Sequence, residues 1–213
     1  ISMLTQTEEN YLKAIYNIWG NDKKVVSTNA VAEAINTKAA SATVMIQRLN
    51  KKGLVTYHKY QGVAPTKEGE TVALGVIRKH RLWEVFLVQT LKFKWDEVHD
   101  VAEQLEHVNS AMLIEQLDRF LGHPKYDPHG DPIPDANGEV EATPTVTLNM
   151  LEPGHECRVI SAKDSSTSFL NYLDKIKISL GAKIVIMDHF EFDDSYSVTV
   201  DGSQPLTISN KAA

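Results

Sequence analysis

A stretch of about thirty residues, 78–107, most constrains how this chain can fold, because it combines an apolar pattern with six regularly spaced polar groups. Those six side chains are His80, Glu84, His99, Glu103, Glu106 and His107. Within each half of the stretch the spacings are typical of one helical face. Leucine, valine and phenylalanine fill the positions between them. The pattern therefore predicts two consecutive helices that bury a face bearing His and Glu.

Imidazoles and carboxylates in a partly buried place need partners, and one divalent cation can satisfy several of them at once. Oxygen and nitrogen ligands without thiolate suit Mn(II), Fe(II), Zn(II) or Co(II), whereas structural zinc sites more often contain cysteine. The alternative is that these groups form ion pairs on a solvated helix surface. Six such groups within one apolar pattern favour the metal site.

The chain has 213 residues, a length that suits one large domain or two to three small ones. Its hydrophobic content of 42% is sufficient for the cores of a globular protein. A single cysteine, Cys157, excludes an internal disulfide framework. No apolar run is long enough for a membrane span or a signal sequence, so we expect a cytoplasmic protein without a membrane partner.

Charge is distributed unevenly along the chain. Although the formal net charge is -6, residues 1–80 contain eleven Lys and Arg against six Asp and Glu, which is +5. The remainder therefore carries -11. This asymmetry is typical of a basic nucleic-acid-binding module joined to an acidic regulatory part.

The basic N-terminal part has the pattern of a helix-turn-helix. Thr5 and Glu8 have capping-box spacing before a first helix, and Ser27 or Thr28 is expected to cap a second. A short turn leads into a third helix whose start carries small and polar residues, and Gly53 follows its basic last turn.

Residues 54–66 then predict two short strands joined near Gly62, which would form a wing. The tip of this wing, Lys59, Tyr60 and Gln61, is placed to reach phosphates. A helical pair with a hairpin can also be purely structural, but the charge asymmetry favours DNA binding.

Five ordered segments resemble the family of iron- and manganese-dependent repressors that includes the diphtheria toxin repressor and the manganese transport regulator (DtxR/MntR). They are TEENYLKAIY, AVAEAINTKAASATVMIQRLNKKGLV, RKHRLWEVFL, KWDEVHDVAEQLEHV and LGHPKYDPHGDPIP, which cover most of positions 4–134. The resemblance implies a mainly α-helical protein with a C-terminal β domain. The expected parts are a winged helix-turn-helix at 3–73, a helical dimerisation and metal-binding domain at 74–137, a linker at 138–144 and an SH3-like, FeoA-type β-barrel at 145–213. Alternating apolar residues, with one short helix between them, also predict the β domain.

The resemblance implies that the six His and Glu residues named above are the metal ligands, together with Asn10 on the first helix. Iron sensors of the family commonly have Met at the position of Asn10 and manganese sensors have Asp. At the position of Glu103, iron-type members have Cys and manganese-type members have Glu. A site without a soft ligand does not favour iron, nickel or zinc over manganese by ligand type, so Mn(II) is the expected metal. Fe(II) is the alternative, and Zn(II), Co(II) or Ni(II) are expected to bind in vitro.

A second group of ligands is implied near the end of the helical domain. Some manganese-responsive members have a Cys-Pro-His-Gly sequence where this chain has Asp127-Pro128-His129-Gly130. The resemblance therefore makes Asp127 and His129 candidate ligands, and it adds Asp164 from the loop before the helix of the β domain. Taken alone, these residues are more often parts of surface turns and helix caps than metal ligands.

The implied function is that of a transcriptional repressor rather than an enzyme. A metal-loaded homodimer would bind an inverted-repeat operator in double-stranded DNA and control genes of metal uptake. The expected DNA-facing residues are Thr28, Lys38, Ala40, Ser41, Thr43, Gln47 and Lys59. Two alternatives remain: a hydrolase that uses the same His and Glu cluster, and a winged-helix regulator that senses an organic molecule.

Overall fold

The computed structural model describes residues 4–20, 22–59, 61–141 and 145–213. Its helices are α1 (Gln6–Trp19), α2 (Thr28–Ala34), α3 (Ala39–Lys51), α4 (Lys67–Gln89), α5 (His99–Leu105), α6 (Ala111–Phe120) and α7 (Thr167–Lys175). Its strands are β1 (Val55–His58), β2 (Gly62–Pro65), β3 (Glu156–Arg158), β4 (Lys183–Phe190), β5 (Ser195–Val200) and β6 (Leu206–Ile208). The expectations for Tyr60 in the wing and for residues 142–144 of the linker lie outside the described residues.

The first three helices and the β1–β2 hairpin form the predicted winged helix-turn-helix. Apolar side chains of α1 and α3, including Leu12, Ile15 and Ile46, are fully buried in a shared core. Strands β1 and β2 pair antiparallel, and Val26 before α2 adds a bridge to Val63 of β2. Of the two predicted caps of α2, Ser27 is the one used, since its side chain accepts the N–H of Ala30.

Glu8 links the start of α1 to the end of α3. Its side chain accepts the N–H of Thr5 while the Thr5 hydroxyl accepts the N–H of Glu8, which is the predicted capping box. The same carboxylate, 0% exposed, lies 2.8 Å from Arg48 Nε and 2.7 Å from Lys52 Nζ. Burial alone would raise the pKa of Glu8, but the hydrogen bond from Lys52 and the nearby positive charges lower it. Glu8 therefore stays ionised and ties the two helices together.

Helix α4 continues from the first domain into the second. Gly69 near its start lies against Leu54, the residue before β1, and a Cβ at this position would collide with the carbonyl oxygen of Leu54. Ala73 packs in the core of the winged helix, whereas Leu82 and Val85 are buried in a separate core with α6. The predicted boundary between residues 73 and 74 thus falls inside one helix, because opposite ends of α4 bury their apolar faces against different partners.

The second predicted helix of the polar stretch is shorter than its pattern indicates. Helix α5 has seven residues, so Glu106 forms its C-cap and His107 follows it. Glu106 keeps helical backbone angles, with φ -61° and ψ -17°, and therefore retains the expected direction of its side chain. Val98 and Ala102 of this segment are fully buried beside Leu87 of α4.

The C-terminal domain is an antiparallel sheet with strand order β3-β4-β5-β6 and α7 packed against it. Leu170 of α7, Ile186 of β4 and Val198 of β5 are fully buried between them. This agrees with the predicted small β domain. In its first part, however, the expected strands reduce to the three residues of β3, and residues 148–150 form a 3-10 helix instead.

Among the described residues, several hydrogen bonds connect the C-terminal domain to the helical domain. The Trp95 indole N–H, in the loop between α4 and α5, donates to Asp174 of α7 at 3.1 Å. The Ala162 N–H donates to the carbonyl oxygen of His129 at 2.9 Å. Across the described residues, no helix combines the length and apolarity needed to cross a bilayer.

We expect Glu8→Ala to lower the free energy of unfolding by about 2 to 3 kcal/mol, because it removes the Glu8 half of the capping box and two charge-assisted contacts of a buried carboxylate. Since the folded-state pKa of Glu8 is lowered, its contribution is present at neutral pH and is lost as the pH falls through that pKa. Urea denaturation measures the difference. Glu115→Ala is the control, since it breaks the exposed pair with Arg119 and should cost less than about 0.5 kcal/mol. Equal losses in the two variants would contradict the role given to Glu8.

Candidate metal centre

His80 of α4 connects two buried carboxylates. Its Nε2 lies 3.0 Å from Glu84 Oε1, one helical turn along α4, and its Nδ1 lies 2.6 Å from Glu106 Oε2 at the end of α5. The three residues are 6%, 2% and 1% exposed. The predicted stripe on α4 and the end of α5 thus meet inside the protein.

His99, at the start of α5, lies beside the carboxylate of Glu84. Its Nδ1 lies 3.6 Å from Glu84 Oε1, and its Nε2 lies 3.5 Å from Glu103 Oε1 on the next turn. Ligand atoms of His80, Glu84 and His99 all lie within 4.8 Å of one another, which suits a single cation. His99 and Glu103 are about half exposed, so this group opens to solvent on the α5 side.

A second group shares Glu84 and contains the predicted pair Asp127 and His129. His129 Nδ1 lies 3.7 Å from Glu84 Oε2 and 3.9 Å from Asp127 Oδ1. The Nε2–H of His129 donates to the carbonyl oxygen of Trp95 at 2.7 Å, which turns Nδ1 toward the two carboxylates. Ligand atoms of these three buried residues again lie within 4.8 Å of one another. The turn at 127–131 therefore places two buried side chains beside Glu84.

Glu106 and His107 face helix α1 of the DNA-binding domain. The Nδ1 of His107 lies 2.5 Å from Glu9 Oε2, and its Nε2 lies 3.7 Å from Glu106 Oε1. Lys13 Nζ lies 2.7 Å from Glu106 Oε2. Sequence reasoning missed both Glu9 and Lys13. Their four-residue spacing on the helix that carries Asn10 is the signal that would have placed them on one face.

Two of the four candidate ligands that are implied only by resemblance, Asn10 and Asp164, lie apart from these groups. Asn10 is exposed on α1, whereas its neighbour Glu9 is buried against His107. Asp164 is also exposed, and its Oδ1 accepts the N–H of Ser166 at 2.8 Å. That hydrogen bond is typical of a turn before a helix. Coordination by Asn10 or Asp164 stays a prediction.

Three imidazoles of the centre, those of His80, His99 and His129, have a pKa above that of free histidine. The hydrogen bond with Glu103, followed by the one with Glu84, raises the pKa of His99 to about 10. Burial lowers the pKa of His129, but its contact with Glu84 outweighs burial and raises the pKa to about 9. The pKa of His80 is raised in the same way, since the hydrogen bonds with Glu106 and Glu84 exceed the effect of burial. Protonated imidazoles therefore compensate the carboxylates at neutral pH.

The carboxylates divide into two kinds. Burial would raise the pKa of Glu84, but hydrogen bonds with His129, His80 and His99 lower it strongly. The hydrogen bond with His99 lowers the pKa of Glu103 to about 2. For Asp127, burial and the charges of Glu84 and Asp131 raise the pKa to about 6. At neutral pH the centre thus holds Glu84 and Glu103 ionised, beside Asp127, which is more easily protonated.

This donor set fits a divalent cation. Buried, ionised carboxylates surrounded by imidazole nitrogens are the oxygen and nitrogen ligands that Mn(II), Fe(II) and Zn(II) accept. The only cysteine of the chain, Cys157, lies in β3 of the C-terminal domain. Neither group of ligand atoms contains a sulfur.

The predicted DNA-facing residues lie around α3 and the wing. Lys38 is the N-cap of α3, and Ala40, Ser41 and Gln47 are exposed along that helix. Thr43 and Thr28 are partly exposed. Lys59 is exposed at the tip of the β1–β2 hairpin. The predicted DNA-facing residues are therefore all at least partly accessible to solvent.

Three family models match successive parts of the chain. The N-terminal DNA-binding domain of iron-dependent repressors matches residues 3–63, and their metal-binding and dimerisation domain matches residues 66–135. The FeoA domain matches residues 146–213. A solved manganese-dependent transcriptional repressor in complex with manganese is 37% identical, with 97% of this chain and 96% of that chain covered and a TM-score of 0.87. The chain belongs to the family of iron- and manganese-dependent transcriptional repressors.

Relatives within this repressor family are named for different metals. The iron-dependent repressor IdeR of Mycobacterium tuberculosis (strain ATCC 25618 / H37Rv) is 33% identical over 132 residues, which is 62% of this chain and 56% of that protein. The chain thus spans little more than half the length of the first curated relatives that it matches. The manganese regulator SloR is 30% identical, with 99% and 96% of the two chains covered and a TM-score of 0.77. Family membership alone therefore does not decide between iron and manganese.

We expect Mn(II) binding to this repressor to release protons and to tighten as the pH rises from about 6 to about 8. With the pKa of His99 near 10 and that of His129 near 9, both imidazoles carry a proton that must leave before the nitrogen can coordinate. Calorimetric titration in buffers of different ionisation enthalpy counts the released protons. His99→Gln should reduce the count by about one, whereas His189→Gln should not, because His189 pairs with Asp194 in the C-terminal domain. An affinity independent of pH would contradict this assignment of ligands.

Proposed function

We propose that this chain is a DNA-binding repressor that uses Mn(II) as its co-repressor and binds an inverted-repeat operator as a homodimer. The observation that carries the proposal is the position of the His and Glu cluster. It lies where α4, α5 and the turn at 127–131 converge, in direct contact with α1 of the DNA-binding domain. A cluster at this junction is placed to couple its own state to the orientation of the winged helix.

Mn(II) is preferred to Fe(II) because of the ligand chemistry. Glu103 stands where iron-type members of the family have Cys, and the oxygen and nitrogen donors assembled around Glu84 include no soft atom. Such a site does not select iron by ligand softness, so Fe(II) remains the second candidate. We propose metal-ion uptake genes as the targets, and the cytoplasm, where DNA is accessible and Cys157 stays reduced, as the location.

The path from the centre to DNA runs through α1. A bound divalent cation supplies the positive charge that allows several carboxylates and imidazoles to converge. Glu9 accepts a hydrogen bond from His107 and so holds α1 against the end of α5. The adjacent Glu8 holds Arg48 and Lys52 at the end of α3. Glu8 and Glu9, which are neighbours on α1, thus join the centre to α3, the proposed recognition helix. A shift of α5 therefore biases the orientation of α3.

Two surfaces support the dimeric DNA-binding arrangement. Helix α3 and its N-cap present Lys38, Ser41 and Gln47 to solvent, and a recognition helix needs such accessible polar side chains in the major groove. On the helical domain, Met112 and Phe120 of α6 are 73% and 67% exposed. Exposed apolar side chains of this kind mark a protein interface, so we propose that α6 takes part in the contact between protomers.

DNA binding measured by fluorescence anisotropy tests the proposal, with the promoter of a manganese-uptake operon as probe. Mn(II) and then Fe(II) are titrated without oxygen, and we expect tight binding only when metal is present. The metal with the lower half-saturating concentration, relative to its level in the cell, is the co-repressor. Metal-independent binding would favour the regulator that senses an organic molecule.

A substitution at the junction tests the site separately. We expect His107→Ala to lose at least about tenfold in metal-dependent DNA affinity while remaining a dimer by gel filtration, because it removes a ligand and the contact with Glu9. Glu103→Ala should act in the same direction. His189→Ala, in the C-terminal domain, is the matched control. If His107→Ala bound DNA like the parent in the presence of metal, the assigned centre would be wrong.

A further inference from the structure

Lys13 places a positive charge inside the proposed metal centre. Its Nζ lies 2.7 Å from Glu106 Oε2, 3.5 Å from His80 Nδ1 and 3.9 Å from Glu103 Oε1. The Lys13 side chain is only 15% exposed. One cation, tethered to α1, is therefore already present among three of the predicted ligands.

This contact differs from an ordinary surface ion pair. The side chain of Glu106 is 1% exposed, so its charge depends on partners within the protein. Burial alone would raise the pKa of Glu106, whereas the hydrogen bond with His80 and the charge of Lys13 lower it. Lys13 is one of the two groups that keep this carboxylate ionised.

The two oxygens of Glu106 have different surroundings. Oε2 is shared by Lys13 and His80, at 2.7 Å and 2.6 Å. Oε1 lies 3.7 Å from the Nε2 of His107, whose Nδ1 is directed toward Glu9. The ammonium group thus fills the Oε2 side, and the Oε1 side is the one where a carboxylate oxygen and an imidazole nitrogen face each other.

We propose that Lys13 sets the metal affinity of the centre by competing, as a tethered cation, with the divalent ion for Glu106 and Glu103. The proposal rests on the assignment of these residues as ligands under the proposed function. Two positive charges a few ångströms apart repel each other, and the repulsion is stronger where water is excluded. Metal binding must therefore either displace the Lys13 ammonium group or take place beside it. Both cases cost free energy and so raise the metal concentration at which the centre fills.

The same contact stabilises the protein without metal. Lys13 compensates Glu106 and keeps α1 attached to the end of α5, which would otherwise bring uncompensated carboxylates together. A group that stabilises only the metal-free form necessarily weakens metal binding by the same free energy. Lys13 thus sets a threshold, so that the centre responds to an elevated metal level.

Lys13→Met tests the proposal, because methionine is similar in length and carries no charge. Mn(II) affinity is measured without DNA, from the electron paramagnetic resonance signal of free Mn(II). We expect the dissociation constant to fall about tenfold. We also expect the melting temperature in chelator to decrease and to recover with saturating Mn(II). Lys13→Arg keeps the charge and should remain within about twofold of the parent in affinity.

Lys79→Met is the matched control for a general change in charge. Lys79 is equally buried, at 13% exposure, but its Nζ lies 3.9 Å from Glu9 rather than beside Glu106. Its effect on affinity should be clearly smaller. If Lys13→Met does not fold, Lys13→Gln offers an uncharged amide that can still donate to Glu106, and the same tightening is expected.

Unchanged or weaker Mn(II) binding by the uncharged variants would overturn the proposal, and so would an equal gain in Lys79→Met. Failure of the underlying site assignment looks different. In that case the parent would bind no Mn(II), or Glu106→Ala would bind it as the parent does. The two failures are therefore distinguishable in one set of titrations.

Discussion

The carboxylate of Glu84 is the interaction on which the rest of the centre depends. It is 2% exposed, and an isolated charge at such a place is costly unless positive groups surround it. Three imidazoles do so: His80 from the same helix, His99 from α5 and His129 from the turn at 127–131. The need to compensate one buried anion thus holds three separate segments together, and their apolar neighbours form the cores of the helical domain around it.

Helix α1 belongs to the winged-helix domain and also contacts the helical domain. Its apolar face, including Leu12 and Ile15, is buried in the winged helix. Its polar residues contact both domains: Glu8 contacts α3 of the winged helix, whereas Glu9 and Lys13 contact the end of α5 in the helical domain. A rigid helix with ionic contacts on both sides cannot tilt toward one partner without changing its contacts with the other. That property makes α1 the mechanical element between the centre and the recognition helix.

The spacing of residues along the sequence predicted the features that depend only on nearby residues. Two consecutive helices that bear His and Glu, the capping box at Thr5 and the antiparallel wing all follow from patterns within a few turns, and the structure has them. Glu9 and Lys13 were missed because their role depends on the end of α5, about ninety residues away, which periodicity cannot reveal. The length of α5 and the course of α4 across two domains were likewise decided by tertiary packing, which outweighs helix propensity.

The two groups of ligand atoms are joined by the two oxygens of Glu84. Oε1 faces His80 and His99, whereas Oε2 faces His129. Any rotation of this carboxylate therefore changes both groups at once, so they cannot behave as independent sites. The carbonyl oxygen of His129 accepts a hydrogen bond from Ala162 of the C-terminal domain, and its ring donates to Trp95, whose indole contacts α7. The C-terminal domain is consequently linked to Glu84 through His129. Helix α1 reaches the same cluster by another route, because Lys13 contacts Glu106 and His80.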